Sequence, residues 1–511
     1  MLDNQSNNKR IAKNTLFLFI RMVIIMIVTL YTSRVILQSL GIEDYGIYNM
    51  VGGVTSMFLI IVGSLSNASQ RFITFAIGKK NVNAVREVFT SSLFLHIFIG
   101  VAIIAIAEPV GLWIINNKLI IPSYKLDSAI WVFQFSLMSM LIMLISIPYN
   151  AMIIAHERMN IYAYISILDA LGRLAVAYSL YLNADVDKLK LYGFLLLLLQ
   201  VLIQLSYYMY CRFHFEECKL LFLKNKTLYK DMAKFASWAI FGNAAFICCN
   251  QGITLILGMF FPPFVSAARG IAVQVQGALV GLVRNFQTAI NPQITKYYAA
   301  DELNNMNQLV YTSSKLSFFL VLIPFIPILL NTDVILKVWL KNVPEYAVVF
   351  TQFMIVSTSL NTLINPLEDS IKATGNIKRF ELYVYGTKIL TLPISFALLR
   401  MGLSPVYAFV VLIASDIFSL LFSLLEANKQ LGFSIKRYVH EILSRIIIVV
   451  IVSLMSAFII HSCLDKSVLN IIVSIIGTVL FTIFFVWIIG LNSTERKSAN
   501  KMIHTLISRF K

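Results

Sequence analysis

The stretch FVSAARGIAVQVQGALVGLVRNFQTAINPQI, residues 264–294, has the length and apolar content of a membrane-spanning helix. It nevertheless carries two arginines and two glutamines on one helix face: Arg269, Gln276, Arg284 and Gln287. At about 100° per residue, these four fall within an arc of about 80°. Polar groups at bilayer depth are costly unless they face protein or water, so this arc predicts a helix that lines a polar cavity. The alternative is that Arg269 and Arg284, near the two ends of the span, extend to the lipid headgroups.

The same helix carries glycines beside the polar arc. Gly277 and Gly281 have the G-x-x-x-G spacing, and Gly270 lies on nearly the same face. Small residues at this spacing let a second helix approach closely within a membrane. We therefore predict that one face of the helix packs against a neighbour and that the adjacent face is wet.

The rest of the chain is equally apolar. Of its 511 residues, 58% are hydrophobic and 13% are charged, whereas soluble domains are about half apolar and a quarter charged. Apolar runs of about 20 residues recur from end to end, so no sizeable soluble domain fits between them. The sequence predicts an all-α polytopic membrane protein with about fourteen spans, near residues 14–38, 45–68, 88–107, 128–154, 160–183, 190–211, 233–260, 265–290, 310–330, 346–371, 378–399, 405–427, 440–462 and 467–490.

The formal net charge of +17 orients the chain in the membrane. When the loops are assigned alternately to the two sides, most loop lysines and arginines fall on the side of both termini. This asymmetry places the N- and C-termini in the cytoplasm and makes a nucleic-acid partner unnecessary. The five cysteines have neither a disulfide framework nor metal-site spacing, so no metal is expected.

An internal repeat organises the chain into two halves. Four pairs of short words match in the same order at a shift of about 220 residues: ILQSLG (36–41) with ITLILG (253–258), RFIT (71–74) with PQIT (292–295), VFTSS (88–92) with VYTSS (310–314), and PYNAMIIA (148–155) with PLEDSIKA (366–373). A repeat of six spans returns the chain to the same side, so the halves run parallel. We predict a first six-helix lobe at 1–217, a cytoplasmic linker at 218–232, a second six-helix lobe at 233–430, and two extra helices with a basic tail at 431–511.

Several stretches resemble the multidrug/oligosaccharidyl-lipid/polysaccharide (MOP) flippase superfamily, and its bacterial O-antigen and capsule flippase branch in particular: LGIEDYGIYNMVGG (40–53), SQRFITFAIGKKN (69–81), AHERMNIYAY (155–164), SAARGIAVQV (266–275) and AINPQITKYYA (289–299). The resemblance implies two six-helix lobes that form a V around a cavity opening alternately to each side. It implies a flippase for polyprenyl-pyrophosphate-linked oligosaccharides in the bacterial cytoplasmic (inner) membrane. Membrane lipids, a polysaccharide polymerase and a chain-length regulator are the other implied partners, and no cofactor is expected apart from a coupling ion, H+ or Na+.

Arginines on the first two spans are candidate substrate ligands. Arg21 and Arg34 lie in the first span, and Arg71 ends the second. The lipid-II-type flippases that this chain resembles use arginines on the first, second and eighth helices to hold pyrophosphate. The resemblance therefore implies this role for Arg21, Arg34 and Arg269, with Arg71 at the cytoplasmic mouth, and a guanidinium fork suits phosphate because it offers paired, permanently charged donors.

Further charges lie in the middle of other spans. Asp169 and Arg173 are four residues apart on one face of the fifth span, as an ion pair would be. Either they neutralise each other in a packed core, or substrate or a cation breaks the pair during transport. Lys388 of the eleventh span has no acid one turn away, so it is a cavity candidate, with Asp416 of the twelfth span as a candidate partner.

Two prolines occupy matched positions in the repeat. Pro148 and Pro366 lie near the cytoplasmic ends of the fourth and tenth spans. Proline removes one helical hydrogen bond and allows bending. They are candidate hinges, and the alternative is that they only shape their helices.

Two other classes of protein compete with the flippase. A MATE-type cation-coupled multidrug exporter would need carboxylates for organic cations, but the first span has Arg21 and Arg34 and no acid. A membrane polymerase or acyltransferase would need catalytic residues on a large outer loop, and the loops here are short. No Walker, Rossmann or H-E-x-x-H pattern is present, so we expect a transporter and not an enzyme.

Overall fold

The computed structural model describes residues 2–78, 81–156, 158–182, 186–220, 248–463, 468–493, 495–497 and 500. Within these ranges the chain forms helices joined by short loops, with no strand. The predicted all-α fold is confirmed. Two short 3-10 helices, Ser123–Lys125 and Glu216–Cys218, accompany the main helices. The main helices are α1 (Leu2–Gly78), α2 (Val82–Asn117), α3 (Leu126–Ala155), α4 (Met159–Leu182), α5 (Lys188–His214), α6 (Cys248–Phe260), α7 (Pro263–Ala299), α8 (Leu303–Leu340), α9 (Ala347–Thr374), α10 (Lys378–Arg400), α11 (Val406–Leu431), α12 (435–463) and α13 (468–490).

The number of spans agrees with the prediction once α1 and α6 are considered. In the described ranges, twelve helices are long and apolar enough to cross a membrane, with α1 contributing one. Yet α1 has 77 residues, which at 1.5 Å per residue is several times the thickness of the hydrocarbon core. It breaks at Gly41, whose φ of 82° and ψ of 172° are open mainly to glycine, and this break separates the predicted first and second spans. The predicted seventh span falls on α6 and on residues outside the described ranges.

Three helices contain a π-helical turn, at Glu381–Tyr385, Val439–Leu443 and Val486–Gly490. Such turns shift the register of the side chains that follow. The first of them immediately precedes the part of α10 that carries Lys388.

The chain divides into two compact units. The first comprises Met1–Ile271, Trp339–Ala347 and Thr391–Ala408. The second comprises Ala272–Val338, Val348–Leu390 and Phe409–Lys511. The predicted lobes and extra helices stay a prediction, and most of the predicted linker, residues 221–232, lies outside the described residues.

Each unit has its own apolar core. In the first unit one cluster includes Ile47, Phe133 and Leu137, and another includes Phe89 and Met152. In the second unit a cluster joins α7 to α12 and includes the buried side chains of Ile294, Ile326, Leu367, Phe433 and Tyr438. Large apolar side chains that remain exposed, such as Phe98 and Trp113, suit a surface surrounded by lipid.

The start of α5 is held to α3 by Asp187. Its Oδ1 accepts hydrogen bonds from the backbone N–H groups of Leu189 and Lys190, at 3.0 and 3.3 Å, and its Oδ2 accepts one from Ser128 Oγ. Although burial raises the pKa of Asp187, these hydrogen bonds and the charge of Lys125 lower it below its ordinary value. The carboxylate is therefore ionised at neutral pH and caps the helix.

Close packing of α7 occurs at a glycine other than those of the G-x-x-x-G pair. A Cβ at Gly270 would lie 2.6 Å from Asn49 Oδ1 of α1, and a Cβ at Gly46 would lie 2.0 Å from the carbonyl oxygen of Pro263. At Gly277 and Gly281 nothing in the described chain lies within 4 Å of the added Cβ, apart from the helix itself. Of the predicted small face, Gly270 therefore receives a neighbouring helix in the described chain, and the packing of Gly277 and Gly281 stays a prediction.

Candidate functional site

A polar stripe runs along α4 in the first unit. Tyr162, Ser166, Asp169 and Arg173 follow one another at steps of four, three and four residues, which places them on one helix face. The predicted ion pair forms there, with Arg173 Nε donating to Asp169 Oδ2 at 3.2 Å. It is not sealed in a packed core, since 46% of the Arg173 side chain is accessible.

Arg173 lines a cavity of about 190 Å³ inside the first unit. The cavity lies among α1, α3, α4 and α5, and its remaining polar lining consists of hydroxyl groups and one amide: Tyr48, Thr55, Ser56, Ser136, Ser139 and Gln200. Of the lining residues in the described chain, Arg173 is the charged one. Its Nε donates to Asp169, and its two terminal nitrogens carry further charged N–H donors.

Arg21 joins the Tyr162 end of the same stripe. Its Cζ lies 4.3 Å above the ring centroid of Tyr162, and its Nη2 donates to the Tyr162 hydroxyl at 3.3 Å. A guanidinium over an aromatic face is stabilised by about 0.5–2 kcal/mol. The structure therefore brings the predicted ligand Arg21 to the helix that carries Arg173. Arg34 is half-buried in α1, and the side chain of Arg71 lies outside the described residues.

The predicted arc on α7 does not form one accessible surface. Arg269 is 1% exposed, and it donates from Nη2 to the Asn250 carbonyl at 3.2 Å and from Nε to Thr254 Oγ1 at 3.4 Å, both on α6. Further along α7, Gln276 is half-buried and Arg284 is exposed, while Gln287 is buried in the second unit. In this conformation the two ends of the arc pack against protein.

Gln287 donates a hydrogen bond to the carbonyl group that faces Pro366 in α9. Because proline has no N–H, the carbonyl of Thr362, four residues earlier in α9, loses its helical donor. Gln287 Nε2 donates to that carbonyl at 3.3 Å and to Ser317 Oγ at 3.1 Å, and Asn365 Nδ2 donates to Gln287 Oε1 at 3.0 Å. Pro148 is likewise buried within α3, and the hinge role of both prolines stays a prediction.

Lys388 and Asp416 lie together in the second unit. The Lys388 Nζ is 3.0 Å from Asp416 Oδ1 and 2.7 Å from Asn361 Oδ1, and Ser357 Oγ donates to Asp416 Oδ2 at 2.5 Å. The side chains of Lys388 and Asp416 are 8% and 1% exposed. Lys388 is therefore enclosed by protein, and it does not present its ammonium to an open cavity in this conformation.

Neither the cavity at Arg173 nor the part that Tyr162 and Ser166 play in the stripe was predicted from the sequence. The signal was present, because these two residues precede Asp169 and Arg173 at helical spacing. A stripe of four polar residues in one span predicts a wet face more strongly than an isolated ion pair does.

The fold is similar to that of several solved transporters and a flippase. No protein-family model matches the chain, and no curated protein matches it in sequence. Among solved structures, an inward-facing multidrug resistance MATE family transporter superposes with a TM-score of 0.64 and 14% identity, over 80% of this chain and 98% of its own. The lipid II flippase MurJ superposes with a TM-score of 0.64 and 10% identity, over 93% and 98%. A MOP superfamily transporter from Pyrococcus furiosus gives 0.58 and 15%, over 82% and 96%.

Both proteins with a TM-score of 0.64 cover most of this chain. The likeness to MurJ extends over more of it than the likeness to the MATE transporter. At these identities the match shows the fold alone, an all-helical fold with many helices that are long and apolar enough to cross a membrane. The superfamily that the sequence motifs indicated agrees with these structural neighbours.

Proposed function

We propose that the chain is a flippase that moves polyprenyl-pyrophosphate-linked oligosaccharides from the inner to the outer leaflet of a bacterial cytoplasmic membrane by alternating access. Its product would serve O-antigen, capsule or exopolysaccharide synthesis. The observation that carries the proposal is the cavity of the first unit, in which Arg173 supplies the charge.

The charge of this region favours an anionic substrate. Arg173 is accessible, and Arg21 and Arg34 are half-buried rather than sealed. The carboxylate on the same stripe, Asp169, is hydrogen-bonded to Arg173. Such a surface binds pyrophosphate through charge-assisted hydrogen bonds, and it repels the organic cations that a multidrug exporter carries.

The membrane potential assists outward movement of such a substrate. Because the cytoplasm is negative, outward movement of each negative charge is favourable by about 2.3 kcal/mol per 100 mV. Outward flipping of the pyrophosphate then needs no bond chemistry in the protein. The return of the empty carrier is the step at which a coupling ion would act.

The proposal is tested in a bacterial strain that lacks its own O-antigen flippase and makes a matching lipid-linked oligosaccharide. Expression of the chain is expected to restore surface polysaccharide and to leave the minimum inhibitory concentration of ethidium unchanged. The test uses a panel of strains with different lipid-linked oligosaccharides, so that the panel includes the sugar unit that the chain accepts. Absence of polysaccharide from every strain, together with ethidium efflux above the vector control, would favour the multidrug exporter.

A further inference from the structure

An oxygen-lined pocket in the second unit encloses the Lys388 ammonium. Asp416 Oδ1 and Asn361 Oδ1 lie 3.0 and 2.7 Å from Nζ. The other carboxylate oxygen, Asp416 Oδ2, accepts from Ser357 Oγ at 2.5 Å. The Lys388 ammonium of α10 therefore contacts an amide oxygen of α9 and a carboxylate oxygen of α11, and a hydroxyl group of α9 holds the other carboxylate oxygen.

These oxygens are oriented by contacts of their own. Asn361 Nδ2 donates to the Ser357 carbonyl at 2.8 Å, which turns Asn361 Oδ1 towards Lys388. Ser357 Oγ fixes the carboxylate of Asp416. Because these bonds do not involve the ammonium, the oxygen set would persist without it.

Carboxylate, amide and hydroxyl oxygens are hard ligands, the type that small inorganic cations prefer. In a buried site one negative charge requires one positive charge, because an unpaired carboxylate is expensive there. Lys388 supplies that charge from the chain itself.

We propose that the Lys388 ammonium is the resident cation of the second unit. It occupies an oxygen site that would otherwise take a monovalent inorganic cation such as Na+, and transport by this chain is independent of Na+. The statement about transport rests on the proposed function, whereas the statement about the site does not.

The site is tested first by thermal unfolding of the purified full-length protein in detergent, in NaCl, KCl or choline chloride at equal ionic strength. The melting temperature of the wild type is expected to be the same in the three salts. Lys388→Ala empties the site and leaves Asp416 unpaired, so its melting temperature should be low in choline chloride. It should rise by several degrees with increasing NaCl or ethylammonium chloride, as ligand binding to the folded state requires.

Two variants control for volume and for charge. Lys388→Met fills the same space without a charge, and the double variant Lys388→Ala with Asp416→Asn removes the carboxylate. Neither should respond to Na+ or ethylammonium beyond its response to choline. If both respond as strongly as Lys388→Ala, the proposal is wrong.

A second buried pair controls for position. Lys315 Nζ lies 2.8 Å from Glu495 Oε2, and the Lys315 side chain is 2% exposed. Lys315→Ala also leaves a carboxylate unpaired, but Glu495 Oε2 is already bonded to the backbone N–H of Asn492 at 2.7 Å. We expect this variant to lose stability without recovery in Na+. An equal recovery would show a general counter-ion effect and overturn the proposal.

Direct measurement of Na+ binding tests the site in the wild type as well as in the variants. Binding of radioactive ²²Na+ to the purified wild-type protein should not exceed that to a protein-free control, and Lys388→Ala should bind it. Saturable Na+ binding by the wild type that Asp416→Asn abolishes would contradict the proposal. Failure to transport lipid-linked oligosaccharide would leave these binding results unchanged, so the two proposals fail separately. Flipping by the wild type that is faster in NaCl than in choline chloride would contradict Na+ independence.

Discussion

Arg173 and Arg269 both lie in membrane-spanning helices of the first unit, and their side chains have opposite surroundings. Arg173 is 46% accessible and lines the cavity, whereas Arg269 is 1% exposed and donates to groups on α6. An enclosed guanidinium that is already hydrogen-bonded stabilises the fold, and an accessible one is available to a ligand. The accessibility of an arginine side chain therefore predicts whether it can bind a ligand better than the position of its helix in the chain does.

The two arginines should therefore respond differently to substitution. Arg269→Ala removes two hydrogen bonds to α6 and opens a void at a buried position, and each lost hydrogen bond costs about 0.5–1.5 kcal/mol. We expect a melting temperature several degrees below the wild type in detergent, with the flipping rate per folded molecule close to normal. The measurements are thermal unfolding and flipping normalised to the monodisperse fraction. An unchanged melting temperature with abolished flipping would instead make Arg269 a ligand.

At the scale of the helix, close approach is decided by particular glycines. Gly46 faces the backbone of Pro263, so a Cβ 2.0 Å from that carbonyl oxygen would force the two helices apart. A Cβ added at Gly277 would have no atom of another described element within 4 Å. Helix spacing in the first unit therefore depends on Gly46 and Gly270, although the sequence motif drew attention to Gly277 and Gly281.

Gly46→Ala and Gly277→Ala form a matched pair. We expect Gly46→Ala to lower the melting temperature markedly or to reduce the yield of monodisperse protein. Gly277→Ala should be neutral or stabilising by up to about 1 kcal/mol, because alanine favours the helix. Equal behaviour of the two variants in fluorescence-detected size exclusion and thermal unfolding would refute the assigned contact.

Pro366 and Gln287 act on the same backbone carbonyl of α9, that of Thr362. Gln287→Leu leaves the Thr362 carbonyl without its donor, whereas Pro366→Ala restores a backbone N–H that can reach it. The double variant should therefore be more stable than the sum of the single effects predicts, with a coupling energy of about 0.5–3 kcal/mol. Unfolding free energies of the four proteins in the cycle measure this coupling. Additive changes in the unfolding free energy would mean that Gln287 and Pro366 are not coupled through the Thr362 carbonyl.

At the scale of the whole molecule, the sequence predicted the fold more completely than the site. The apolar runs and the repeat predicted an all-helical membrane protein, and Gly41 divides α1 between the predicted first two spans. The partnership of Lys388 with Asp416 was also foreseeable, because a lone charge at membrane depth demands an opposite one. These features follow from the cost of placing polar groups in lipid.

The rest depends on which helices become neighbours. Periodicity placed Arg269 and Gln287 on one face of α7, but α6 covers Arg269 while α8 and α9 contact Gln287. The cavity at Arg173 requires side chains from four helices that are far apart in the sequence. Helical periodicity fixes the direction of a side chain, and only tertiary packing decides whether that direction meets a helix, a cavity or lipid.

The central claim is that the accessible positive charge of the first unit carries an anionic lipid-linked glycan. It is tested most directly with purified protein in liposomes, by following a fluorescent polyprenyl-pyrophosphate disaccharide that impermeant dithionite bleaches once it reaches the outer leaflet. Charge-assisted hydrogen bonds contribute about 1.5–3 kcal/mol, so Arg173→Ala should slow flipping roughly 10- to 100-fold. Arg173→Lys should be intermediate because it keeps the charge without the fork.

The matched control is Lys337→Ala. Lys337 also pairs with a carboxylate four residues away, Asp333, but 63% of its side chain is exposed. The account predicts wild-type flipping for Lys337→Ala and the slowed flipping stated above for Arg173→Ala, with both proteins monodisperse and melting like the wild type. Flipping by Arg173→Ala at the wild-type rate, or no flipping of any pyrophosphate-linked glycan by the wild type, would contradict it.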